Sequence, residues 1–169
     1  MLRFALLCAL IPSASAALMP LPATVRPADG ALPIDNTFKA ALSGIPDPRL
    51  ETAIGRTVLQ ISRQTGIPML GLKDATPKLR VEIAAPGNPY PTLSENESYT
   101  LDVTPAGATL KAPTRAGALH GLATFAQLVT LGPNGFEVPA THIEDQPRFP
   151  WRGLMLDSSR HFMPLAVVK

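Results

Sequence analysis

Two amphipathic segments constrain this chain most. From Asp47 to Thr65, Leu50, Ile54, Val58 and Ile61 recur at helical spacing, while Glu51, Arg56, Gln60 and Arg63 fall elsewhere. Asp47 can accept from the first free N–H groups, Pro48 suits the first helical position, and Gly66 then Pro68 supply the stop. From Thr114 to Leu131, Ala118, Leu122, Phe125 and Val129 form a second stripe, ended by Gly132-Pro133. A helix with one apolar stripe has to bury it against another element. Gly117 and Gly121 lie one turn apart within the second segment. Glycine costs about 1 kcal/mol in a helix relative to alanine, so this pair predicts close approach to a neighbouring element.

The partners for those stripes are short alternating runs. Leu79–Ala84, Tyr99–Val103 and Ala108–Ala112 alternate apolar and polar residues, and Pro105-Ala106-Gly107 turns the last two into a hairpin. Phe136–Ile143 is a further strand, interrupted by Pro139. Nearer the start, Ala23–Arg26 reads as an edge strand, and Asp29-Gly30 as the turn of a hairpin. The fold class is therefore α+β: an antiparallel sheet with two helices on one face, occupying residues 17–146.

Residues 1–16 read as a secretory signal peptide. Arg3 supplies the positive start, Phe4–Ile11 an apolar run, and Ala14-Ser15-Ala16 a small-residue cleavage site. That run is shorter than the roughly 20 residues that span a bilayer, so no membrane span is expected there. The destination is exported, either periplasmic or secreted. Cys8, the single cysteine, lies inside the signal, so cleavage leaves no disulfide. A formal net charge of +2 with no like-charge block gives no electrostatic case for nucleic acid.

The densest set of polar side chains comes last. Asp145–Pro150 reads as an extended linker with two prolines. Trp151–Leu156 then reads as a strand, with Arg152, Leu154 and Leu156 on one face and Gly153 and Met155 on the other. Asp157, Ser158, Ser159, Arg160 and His161 follow at its C-terminal end, and a helix begins at Pro164. In β/α barrels chemistry collects at such strand ends. The planar fork of Arg160 can grip two hydroxyls or a carboxylate, or it can simply pair with Asp157. His161 reads as a local hydrogen-bonding residue, since His120 and His142 show no ligand spacing with it; no metal and no cofactor are expected.

The run from Pro147 to Pro164, PRFPWRGLMLDSSRHFMP, closely resembles the start of the catalytic barrel in family 20 glycoside hydrolases, the β-N-acetylhexosaminidases. Glu97–Val103, Gly117–Leu122 and Gln127-Leu128 resemble the α+β domain that precedes that barrel. The resemblance implies that residues 147–169 are the first β/α unit of a truncated TIM barrel. It also implies removal of terminal β-linked N-acetylglucosamine or N-acetylgalactosamine from oligosaccharides or glycoconjugates. The implied mechanism is retaining and substrate-assisted, the substrate's acetamido oxygen attacking the anomeric carbon. Arg160 matches a residue that binds sugar hydroxyls, while Arg152, Asp157 and His161 match structural support near the site. The Asp-Glu pair that does the acid–base work in the family has no counterpart here, so no catalytic residue is assigned. The chain reads as an N-terminal fragment, expected to be inactive alone. An exported, non-catalytic module that binds carbohydrate or scaffolds partners is the competing reading.

Overall fold

A computed structural model describes residues 18–69, 76–90 and 92–168. Residues 1–16, read above as a signal peptide, and Cys8 within them lie outside these residues. The elements run β1 (Thr24–Pro33), β2 (Ala40–Gly44), α1 (Pro48–Thr65), β3 (Leu79–Ile83), β4 (Tyr99–Thr104), β5 (Gly107–Ala112), α2 (Arg115–Leu128), β6 (Thr130–Gly132), β7 (Gly135–Asp145) and α3 (Leu165–Val168). The strands form one seven-stranded sheet in the order β1-β7-β4-β5-β3-β2, with β6 added beside β7.

The sheet is mixed rather than antiparallel throughout. β2 pairs with β3 in parallel, and β3 pairs with β5 in parallel. The cause is α1, which carries the chain from β2 back across the sheet to β3, so both strands run the same way. Sequence alternation did not disclose β2, because Ala40-Ala41-Leu42-Ser43-Gly44 holds no β-branched or aromatic residue. The predicted hairpin at Asp29-Gly30 is instead an irregularity within one edge strand. β1 pairs with β7 on both sides of it, and the register shifts between Pro27 and Ala31. Pro139, expected to interrupt a strand, lies within β7 opposite Ala31.

One face of the sheet is dry. Leu79, Val81 and Ile83 of β3, Tyr99, Leu101 and Val103 of β4, and Ala108, Leu110 and Ala112 of β5 are buried in a single cluster with Leu50, Ile54 and Ile61 of α1 and Leu122 and Phe125 of α2. Both helices thus lie on this face, each turning its stripe inward. Phe38 and Phe125 stack within the cluster, ring centroids 5.8 Å apart and 16° from parallel. Asp47 caps α1 by accepting from the Leu50 N–H at 2.9 Å, and Gly66 ends it in the left-handed conformation.

α2 is shorter than the sequence pattern predicted. It stops at Leu128, and Val129 turns extended, because Thr130–Gly132 pair with Gly135–Glu137. The glycine pair does allow close approach. A β-carbon on Gly117 would collide with the Ser98 carbonyl oxygen, and one on Gly121 with the Leu110 side chain. Asp145, placed in the linker by its sequence, is the last residue of β7 and sits opposite Tyr99. No described helix is long and apolar enough to cross a membrane.

Candidate functional site

Trp151–Leu156 forms neither helix nor ladder among the described residues. A strand exists only through its neighbours, and none of the described strands pairs with this segment. At its end Asp157 organises the next turn. One carboxylate oxygen accepts from the Ser159 and Arg160 backbone N–H groups at 2.9 and 3.2 Å. The other pairs with Arg160 Nε at 2.9 Å. The Arg160 side chain is 91% exposed, and its two terminal amino groups have no partner among the described residues. His161 is exposed and makes no hydrogen bond among them. α3 begins after Pro164, whose carbonyl accepts from Val167 N–H at 2.8 Å.

The structure therefore brings Asp157 and Arg160 together and leaves Arg152 and His161 apart from them. Arg152 points back instead. Its guanidinium donates to the Phe149 carbonyl at 2.5 Å and to the Glu97 carboxylate. Glu97 lies just before β4, and the same carboxylate oxygen is 2.8 Å from His120 Nε2 on α2. Burial pushes the Glu97 carboxyl up, but the hydrogen bonds from His120 and Arg152 outweigh it and hold the group below the ordinary glutamate value. Sequence reading missed Glu97 and His120 as partners of this segment. Their signal was weak, since an acidic residue in a loop and a histidine on a helix are common surface features.

A second polar constellation lies on the face of the sheet away from the helices. His142 of β7 has Nδ1 at 2.5 Å from Asp102 and Nε2 at 2.9 Å from Glu144. Hydrogen bonding to Asp102, then to Glu144, raises the His142 pKa above its usual 6.5. Both ring nitrogens are occupied by carboxylates, so this histidine cannot serve a hydroxyl as general base. Beside it runs a groove of about 740 Å3 lined by Thr24, Glu82, Thr100, Lys111 and Glu144. Lys111 stands opposite Glu82 and Thr100 in the ladder, so the groove floor is a row of alternating polar side chains. At its rim, burial pushes the Tyr99 hydroxyl up to about 12; it bonds Thr124 at 2.6 Å and Asp145 at 3.2 Å. Among the described residues no cluster of His, Cys, Asp or Glu has the arrangement of a metal site.

Comparison with known proteins places these features. The model of glycosyl hydrolase family 20, domain 2, matches residues 15–146. The β-hexosaminidase subunit alpha of Bos taurus is 48% identical over 92 residues, which is 53% of this chain and 17% of that protein. The β-hexosaminidase of Akkermansia muciniphila is 49% identical over 82 residues, 47% of this chain and 16% of that protein. The chain thus spans about a sixth of the length of these relatives. The chitobiase of Flavobacterium johnsoniae superposes with a TM-score of 0.78 at 38% identity, over 89% of this chain and 24% of that one. An exo-β-N-acetylglucosaminidase of Vibrio harveyi, solved with N-acetylglucosamine, superposes with a TM-score of 0.69 at 25% identity, over 90% and 22%.

Proposed function

This chain belongs to glycosyl hydrolase family 20, and we propose that it is the N-terminal part of an exported β-N-acetylhexosaminidase. In this reading residues 1–16 direct export, residues 17–146 form the accessory α+β domain, and residues 147–169 open the catalytic barrel. The substrates are oligosaccharides or glycoconjugates ending in β-linked N-acetylglucosamine or N-acetylgalactosamine. Hydrolysis is retaining: the substrate's acetamido oxygen attacks the anomeric carbon, and a carboxylic acid protonates the leaving oxygen. That acid and its neighbouring aspartate are not among these residues, so the 169-residue chain is inactive alone.

The observation that carries the proposal is the Asp157–Arg160 turn. Asp157 fixes the Arg160 backbone and Nε. It leaves the terminal amino groups of an exposed guanidinium as a preoriented fork of donors. Such a fork suits adjacent sugar hydroxyls. Asp157 and, further back, Arg152 support it; His161 flanks it.

The test is release of a chromogenic aglycone from N-acetylglucosaminide by the purified 169-residue chain and by a longer product of the same reading frame. Activity is expected only in the longer product, with mass spectrometry placing its mature start at Ala17. There, Arg160→Gln is expected to lower kcat/KM about 10- to 150-fold, the equivalent of the 1.5–3 kcal/mol of one charge-assisted hydrogen bond. Activity in the short chain, or an Arg160→Gln variant with unchanged kinetics, would sink the proposal. A longer product that binds chitooligosaccharide without cleaving it would support the non-catalytic module instead.

A further inference from the structure

The loop before β4 is unusually well anchored for a connection. Asn96 Oδ1 accepts from the Ser98 N–H at 3.0 Å and the Ser98 hydroxyl at 2.7 Å, which closes a tight turn around Glu97. The Asn96 carbonyl accepts from Thr114 Oγ1 at 2.7 Å, at the start of α2. One turn further along α2, Gly117 lets the Ser98 carbonyl approach so closely that no β-carbon would fit between them. One turn further again, His120 Nε2 reaches Glu97 itself at 2.8 Å. Thr114, Gly117 and His120 are spaced three apart, so they form one edge of α2, and the loop lies along it. Glu97 is 18% exposed and cannot swing freely.

The fixed carboxylate then meets Arg152. Among the described residues, the Arg152–Glu97 ion pair is the hydrogen bond that joins residues 147–168 to the sheet and helices before them. Arg152 also closes on the Phe149 carbonyl, so its fork ties the proline linker and the scaffold together. Arg152 stands five positions before Asp157, the residue that orients Arg160.

We propose that Glu97 is a positioning residue: anchored on α2, it grips Arg152 and so sets where the Asp157–Arg160 turn is presented relative to the α+β domain. His120 and Gly117 serve the grip indirectly, His120 by holding the shared carboxylate oxygen and Gly117 by letting the loop lie flat. The part of this inference that concerns Arg160 rests on the reading of that residue as a sugar-binding group; the grip itself does not.

Trp151, the single tryptophan, adjoins Arg152 and reports on the grip directly. In the 169-residue chain, steady-state anisotropy of Trp151 is expected to fall in Glu97→Gln and in Arg152→Gln. Tryptic cleavage after Arg160 is expected to accelerate at least about threefold, a change of some 0.6 kcal/mol in the protection of the segment. The double variant should match either single one, Arg152→Lys should recover part of the loss, and Gly117→Ala should loosen the segment without touching either partner. Additive singles, or singles with wild-type anisotropy and cleavage, overturn the grip. In the longer product, Glu97→Gln is expected to lower kcat/KM, and to lower it no further when Arg160→Gln is already present. A loosened segment with unchanged kinetics overturns the positioning role while leaving the family-20 reading intact. If the longer product hydrolyses nothing, that reading fails, and the anisotropy still decides the grip.

Discussion

Two stretches of this chain both read as strands and meet opposite fates. Leu79–Ile83 alternates apolar and polar residues, lies between two neighbours in the sheet and buries Leu79, Val81 and Ile83 under the helices. Trp151–Leu156 is at least as apolar, yet it pairs with nothing described and leaves Leu154 93% exposed. The pattern qualifies a segment to be a strand. It becomes one only when backbone N–H and C=O groups find partners and one face finds a cover. The α+β part closes its own core, whereas the last segment holds to it through Arg152.

That contrast predicts where substitutions cost stability. The largest effect is expected at Phe125, stacked on Phe38 in the core. Phe125→Ala should destabilise by about 3–5 kcal/mol in urea unfolding, while Leu154→Ala should stay within roughly 0.5 kcal/mol. Equal losses at both positions would erase the distinction between the two regions.

Next comes Asp47, whose side chain is 2% exposed, caps α1 and accepts from Arg115 Nε at 2.7 Å. Burial pushes its carboxyl up, but the Leu50 N–H and Arg115 outweigh that and hold it below the ordinary 3.8. Asp47→Ala is expected to cost about 2–4 kcal/mol, by losing the cap and stranding Arg115. Because the folded pKa is lowered, the stabilisation is present above about pH 4 and is lost as pH falls through the folded value. An Asp47→Ala variant with an unchanged acid limb in a pH series of melting curves would contradict this.

A smaller loss is expected at the glycines. Gly117→Ala sets a β-carbon against backbone, which cannot rotate away, and should cost about 1–3 kcal/mol. Gly153→Ala meets open space, and its melting temperature should match the wild type.

The smallest effect lies on the open face of the sheet. The His142 pKa is raised, so its contribution is fully present below the unfolded value of about 6.5 and fades as pH rises through the folded value. The Glu144 carboxyl, held low chiefly by His142, sets the acid limit, below which the pair is lost again. Proton NMR titration of His142 should give a pKa above 6.5 that returns toward it in Asp102→Asn.

Some of this was legible in the residues. Asp47-Pro48 and Gly66 marked the ends of α1, and the turn at Pro105-Ala106 marked the β4–β5 hairpin. Gly117 and Gly121 announced close packing, since two glycines one turn apart cost helix stability and at both a β-carbon would meet a neighbour. The family resemblance rested on PRFPWRGLMLDSSRHFMP and on the shorter runs before it. Other features left no local trace. β2 has a poor strand composition and exists because β3 offers it a ladder. The stretch Val129–Leu131 looked helical by spacing, yet Thr130–Gly132 were drawn into a hairpin with Gly135–Glu137. Glu97 and His120 stand 23 positions apart, and Arg152 lies 55 positions beyond Glu97.

By itself, then, the sequence determined the helix stripes, the caps of α1, the alternating strands and the short spacing that lets Asp157 reach Arg160. Each of these depends on residues within a few positions of one another, where dihedral preference and side-chain period act directly. The tertiary structure decided which strands run parallel, where α2 stops, and which carboxylate meets Arg152. Those outcomes depend on groups distant in the chain, whose pairing is settled only when the whole sheet satisfies its backbone hydrogen bonds at once.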